Sequence, residues 1–253
     1  MTGKRQDHTF PLITAWLIVI CCVVWLIELI PNNNLITQGS MFKFAAPIQP
    51  WRYLTYMFLH ATEMGNFILP INPLHIALNM YSLWILGRIL EPYLGRARFL
   101  IVYLLCGLGA AFIPTGFAFI APNALLTFTS SIGASGAIMG LFGVLILLFR
   151  RLRMPYNQLI LVLALNIGIP LLIPGIDWGG HLAGAFTGII MGIALGYTRW
   201  NIPTKFTAKK WFALFAIGLL ALFIIIEVWI LVNYMPDLKY ASEYLAIASG
   251  IAT

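Results

Sequence analysis

An all-α membrane protein that crosses the bilayer several times is the fold class this sequence predicts. Three observations point there. Of the 253 residues, 61% are apolar and only 9% are charged, whereas a soluble domain carries about 25% charged residues. The apolar residues gather into runs long enough to span a bilayer as helices, and none shows the period-two alternation of a membrane barrel. The basic residues fall in alternate loops between those runs. A cytosolic enzyme, a disordered chain and a disulfide-stapled secreted domain are excluded on composition. The three cysteines, Cys21, Cys22 and Cys106, all lie inside apolar runs and offer neither a disulfide framework nor a metal spacing.

Seven runs are delimited by charge, proline or polar clusters: 11–30, 73–90, 98–120, 132–149, 157–175, 177–198 and 211–235. The first follows Lys4 and Arg5 as a signal peptide would. It continues for twenty residues without an A-x-A cleavage site, so a retained helix is expected. Charge sets the orientation. With residues 1–10 in the cytoplasm, Lys4, Arg5, Arg88, Arg96, Arg98, Arg150, Arg151, Arg153, Arg199, Lys205, Lys209 and Lys210 are all cytoplasmic. That is twelve of the fifteen basic residues, and only Lys43, Arg52 and Lys239 remain outside, as the positive-inside rule requires. The net charge of +7 is therefore a set of topology signals. It forms no basic stripe interleaved with aromatics, and no nucleic-acid partner is expected. The resulting division is a cytoplasmic N-terminus (1–10), a six-helix core (11–198), a basic cytoplasmic linker (199–210), a seventh helix (211–235) and an external tail (236–253).

In this topology the second, fourth and sixth runs all enter from the outer face. Each carries a polar residue near its outer end: His75 and Asn79, Ser135, and His181. At 1.5 Å per residue these lie on the order of 5 Å deep, and polar residues within spans are candidates for function. Glycines supply a means of bringing them together. The sixth run carries Gly180, Gly184, Gly188, Gly192 and Gly196, and the fourth carries Gly133, Gly136, Gly140 and Gly143. Small residues at a spacing of four let two helix backbones approach closely in lipid. Facing stripes would set Ser135 within hydrogen-bond reach of His181.

A serine hydroxyl becomes a nucleophile when a neighbouring base takes its proton, and histidine suits that task near neutral pH. The oxyanion that follows needs fixed donors. His75 and Asn79, one helical turn apart, share a face and both can donate, as can the backbone N–H of Ser135 near a helix start. Asp177, four residues before His181, is weighed as an orienter of the imidazole and, more simply, as a helix N-cap. Glu28 and Glu227 are expected to snorkel or to hydrogen-bond between helices, and Asn166 to hydrogen-bond between helices.

These motifs resemble those of the rhomboid family of intramembrane serine proteases. Pro50-Trp51-Arg52, followed by YLTYMFLH, is similar to the family's Trp-Arg loop. HIALNM, from His75 to Met80, matches its His-x-x-x-Asn. Glu91 and Gly95 match its Glu-x-x-x-Gly, Gly133 to Gly136 its Gly-x-Ser-Gly, and HLAGAFTG from His181 to Gly188 its general-base helix. The likeness covers about residues 45–196 in the family's order. It implies a rhomboid-like six-helix bundle with one additional C-terminal helix, Ser135 as nucleophile, His181 as general base, and His75 with Asn79 at the oxyanion. It also implies Trp51, Arg52, Glu91, Gly95, Gly133, Gly136, Gly184 and Gly188 as structural motif residues. The implied substrate is a transmembrane helix of another protein in the lipid bilayer, cut near its outer end. The stretch from His60 to His75 is longer than the family's usual connection there, and with the fifth run it is a candidate gate. A bacterial plasma membrane with an extracytoplasmic site is the expected location.

The competing reading is a non-catalytic rhomboid-like protein that binds membrane clients, but such a protein is expected to lose its Ser or His. No H-E-x-x-H is present, and Asp7, Asp177 and Asp237 all lie away from span centres. Neither a metal nor a cofactor is expected.

Overall fold

The computed structural model describes residues 10–30, 33–62, 72–121, 130–172, 177–196 and 208–248. Lys4, Arg5, Arg199, Lys205, Pro174 and most of the connection from His60 to His75 lie outside the described residues. In chain order the elements are α1 (Leu12–Glu28), α2 (Leu35–Gly39), β1 (Met41–Phe42), α3 (Arg52–Thr55), α4 (Asn72–Leu94), α5 (Arg96–Ile120), β2 (Ser130–Ser131), α6 (Ser135–Leu152), α7 (Asn157–Leu172), α8 (Trp178–Ala194) and α9 (Ala208–Ala248). The seven apolar runs correspond to α1 and α4 to α9. By length and composition alone, α5, α6 and residues 210–234 of α9 can each cross a membrane, while α1, α7 and α8 are shorter apolar helices.

Of the boundaries that differ from expectation, two bear on the site and the tail. The fourth run starts at residue 132, but its helix begins at Ser135, after an N-cap at Ala134. Ser135 thus occupies the first helical position and is not several residues deep. The last helix does not stop at residue 235 but continues to Ala248, through most of the segment expected to be a tail.

The centre of the bundle is α5, α6 and α8, with α6 and α8 the most extensively packed pair. Their glycine stripes face each other. A Cβ added to Gly184 would run into the Gly136 carbonyl, and one added to Gly188 into the Gly140 carbonyl. The next face of α6 carries Ile138, Leu141, Leu145 and Leu148, a stripe with helical spacing that is buried in the core beside Leu83, Leu86 and Leu90 of α4. The helices α7 and α9 are peripheral. In α5 the most apolar stretch is 67% buried, against 17% in α9, and in α7 the buried residue is Pro170.

Polar groups fasten the ends of the helices. The Glu91 carboxylate, from α4, accepts the backbone N–H groups of Ile13 and Thr14 at 2.9 and 2.8 Å and the Thr14 hydroxyl at 2.7 Å. It supplies from another helix the cap that the first turn of α1 lacks locally. Gly95, at φ +82°, makes the reversal from α4 into α5, a conformation open to glycine without a Cβ penalty. The Glu-x-x-x-Gly pair is therefore a helix cap and a turn.

The segment between α1 and α4 folds over one end of the bundle. The Arg52 guanidinium donates to the Ser40 carbonyl at 2.7 Å and to Gln49 Oε1 at 2.6 Å, while the exposed Trp51 donates its indole N–H to the Gln38 carbonyl at 3.1 Å. Trp51 and Arg52 thus brace a loop. Glu28 accepts the backbone N–H of His60, and Glu227 accepts the Tyr53 hydroxyl at 2.7 Å, tying α1 and α9 to the same segment. The two short strands pair antiparallel, with Met41 opposite Ser131 and Phe42 opposite Ser130, and so bring this segment against the chain just before Ser135.

Candidate active site

Three helix N-termini meet at that end of the bundle. Ser135 is the first residue of α6, His181 the fourth of α8 and His75 the fourth of α4. With the glycine stripes in contact, the Ser135 hydroxyl lies 2.9 Å from His181 Nε2, and both side chains are partly exposed. The other ring nitrogen, Nδ1, lies 2.8 Å from the backbone carbonyl of Asn166 in α7. A carbonyl oxygen can only accept, so Nδ1 carries the proton and Nε2 offers its lone pair to Ser135 Oγ–H. The imidazole is therefore held on both sides in the tautomer a general base needs.

His75 and Asn79 face this pair across the loop that precedes α6. Gly133 sits in the left-handed region at φ +117°, and a Cβ there would meet His75 Cε1 and Nε2 at 3.1 Å and Asn79 Nδ2 at 3.7 Å. Glycine satisfies both demands, on conformation and on space. Its N–H donates to the Tyr56 carbonyl at 2.9 Å, and the Tyr56 hydroxyl donates to the Gly107 carbonyl of α5 at 2.7 Å, which fixes the loop against the core. Asn79 donates one amide hydrogen to the His75 carbonyl at 3.0 Å, and among the described residues its second hydrogen has no acceptor. The first turn of α6 adds N–H groups that have no partner within the helix. Donors from α4 and α6 thus flank a serine that is paired with a base.

Asp177 does not orient the imidazole. Its Oδ1 accepts the Gly180 N–H at 3.0 Å as the N-cap of α8, and its Oδ2 accepts the Ser131 hydroxyl. Both oxygens are engaged away from His181. The buried Lys43 feels the Asp177 carboxylate, which offsets part of the burial that lowers the ammonium's pKa. Asn166 likewise differs from expectation. Its side chain bonds the Val162 carbonyl within its own helix at 2.8 Å, and its backbone serves the site. A backbone acceptor has no residue-type signature, so the motifs do not reveal it.

His60 lies beside this cluster. Its ring is buried 5.4 Å from that of His75, and burial with the neighbouring imidazole pushes its pKa down to about 3. It packs behind the donor pair as a neutral ring.

Residues 47–198 match the model of the Rhomboid domain. The chain is similar to Rhomboid protease GluP of Bacillus subtilis (strain 168), 32% identical over 173 residues, covering 66% of this chain and 29% of that protein. It is 29% identical over 154 residues to RHOMBOID-like protein 6, mitochondrial, of Arabidopsis thaliana, covering 58% of this chain and 44% of the relative. To Rhomboid protease AarA of Providencia stuartii it is 28% identical over 186 residues, covering 64% of this chain and 62% of the relative. The chain thus spans between 29% and 62% of the length of these relatives. With a domain match over more than half of its residues, the chain belongs to the rhomboid family.

Proposed function

We propose that this protein is an intramembrane serine endopeptidase. In this reading it crosses the membrane seven times with its N-terminus in the cytoplasm, and the site opens toward the extracytoplasmic face. Twelve basic residues on one side support that orientation. The observation that carries the activity is the 2.9 Å contact between Ser135 Oγ and His181 Nε2, with Nδ1 bound to a carbonyl.

The reaction follows from these groups. Ser135 Oγ attacks the scissile carbonyl carbon and forms a C–O bond while its proton passes to His181 Nε2. The negative oxygen of the tetrahedral intermediate is met by His75, by the free amide hydrogen of Asn79 and by the N–H of Ser135. Collapse breaks the C–N bond, and the imidazolium gives its proton to the departing amine. Water then attacks the acyl-serine through the same base. Asp177 has no part in this, so Ser135 and His181 act as a dyad. The substrate is a transmembrane helix of another protein, reached near its outer end, where Ser135 stands at the start of α6. A client-binding protein that does not cut has no use for a serine and a histidine held in this relation.

A fluorophosphonate probe tests the nucleophile directly. We expect it to label the wild-type protein at Ser135, to leave Ser135→Ala unlabelled and to react far more slowly with His181→Ala. Labelling that persists in Ser135→Ala would refute the assignment.

A further inference from the structure

α7 contains Pro170 two residues before its end, and Pro170 is the residue that this otherwise peripheral helix buries. In an α-helix the amide of residue 170 donates to the carbonyl four residues back, which is Asn166. Proline has no amide hydrogen, and its ring crowds that same carbonyl. Pro170 therefore deprives the Asn166 oxygen of its helical donor, at the oxygen that His181 Nδ1 occupies at 2.8 Å. With that amide missing, the imidazole N–H is the donor this oxygen has in the fold.

We propose that Pro170 is a positioning residue for the base. By removing the amide that would compete for the Asn166 carbonyl, it reserves that oxygen for His181 Nδ1–H. The imidazole is thereby held in the tautomer whose Nε2 accepts the Ser135 proton. The inference rests on the reading of Ser135 and His181 as a dyad. When Nε2 takes the proton, the bond from Nδ1 to Asn166 becomes charge-assisted and strengthens, so the same contact stabilises the imidazolium. Asp177 cannot replace it, since both of its oxygens are engaged elsewhere.

The test uses the full chain in liposomes with a model transmembrane substrate and nitrogen-15 NMR of His181. Three proteins are compared: wild type, Pro170→Ala, which restores the amide, and Pro170→lactate, an ester-linked residue that has neither ring nor N–H. In the wild type the spectrum should show the proton on Nδ1. In Pro170→Ala the proton should shift toward Nε2 and kcat should fall about 10- to 100-fold, with KM changed less than about twofold. Pro170→lactate should recover most of the kcat and the Nδ1–H form. A proton on Nε2 in the wild type overturns the proposal, as does a Pro170→Ala protein that keeps its kcat and its Nδ1–H form. Equal loss in the alanine and lactate variants also overturns it, because the ring would then be what matters. Should Pro170→Ala fail to fold, the lactate variant decides: activity near wild type supports the proposal and loss refutes it. A wild type inert toward every substrate would remove the protease reading, while the spectra still decide whether Pro170 sets the tautomer.

Discussion

At the scale of single residues, the site depends on what each hydrogen-bonding group can and cannot do. Asn79 has one amide hydrogen committed to the His75 carbonyl and one left for an oxyanion. Asn79→Ala should therefore lower kcat about 10²-fold and leave KM nearly unchanged, measured on a transmembrane substrate in detergent. His60 gives a pH prediction. Its folded pKa, pushed down to about 3 by burial, lies below the ordinary value of about 6.5. Between those values the unfolded chain binds a proton that the folded chain does not, so this group makes stability fall as pH drops through that window. The slope is at most about 1.4 kcal/mol per pH unit. Thermal unfolding across pH 7 to 4 should show this loss in the wild type and a shallower one in His60→Gln. Equal slopes would mean that His60 is not buried as a neutral ring.

At the scale of elements, the contact between α6 and α8 sets the geometry of the site. Gly188→Val would drive a side chain into the Gly140 carbonyl. It should cost about 1–3 kcal/mol, lower the unfolding temperature and reduce cleavage by separating Ser135 from His181. Gly218→Ala, in α9, meets nothing within 4 Å and should lower neither, since alanine favours a helix interior over glycine. Much of this element was legible in the sequence, because glycines at a spacing of four on two helices that run the same way imply a matched seam. The helix starts were less legible. Hydropathy placed the fourth run from residue 132, but backbone geometry starts α6 at Ser135, after the turn through Gly133. The short strands and the bracing of the segment by Arg52 were not legible, because they rest on backbone carbonyls. The same holds for the partner of His181 Nδ1. Asp177 stood at the right spacing to be that partner, yet as the residue just before α8 it caps the helix instead.

At the scale of the whole molecule, charge and apolar length define a bundle whose catalytic candidates lie at one end and whose basic loops lie at the other. With the native cysteines replaced, Gln38→Cys should react with a membrane-impermeant maleimide added outside intact cells, and Arg153→Cys should react only after the cells are opened. Both positions are exposed in the fold, so the reverse pattern would invert the topology. The helical order was readable from the chain because lipid demands long apolar runs and close packing demands glycine, and the family through the motifs around Trp51, His75, Glu91, Ser135 and His181, which resemble its own. The extent of α9 was not, since its polar end continues as helix to Ala248 beyond the apolar stretch. The most direct test of the central claim is cleavage of a model transmembrane substrate in liposomes by wild type, Ser135→Ala and His181→Ala, with folding checked by thermal unfolding. The account predicts that the wild type cuts the substrate near its outer end and that each variant, though folded, loses at least about 10³-fold in rate. Cleavage by a folded Ser135→Ala or His181→Ala at the wild-type rate would contradict it.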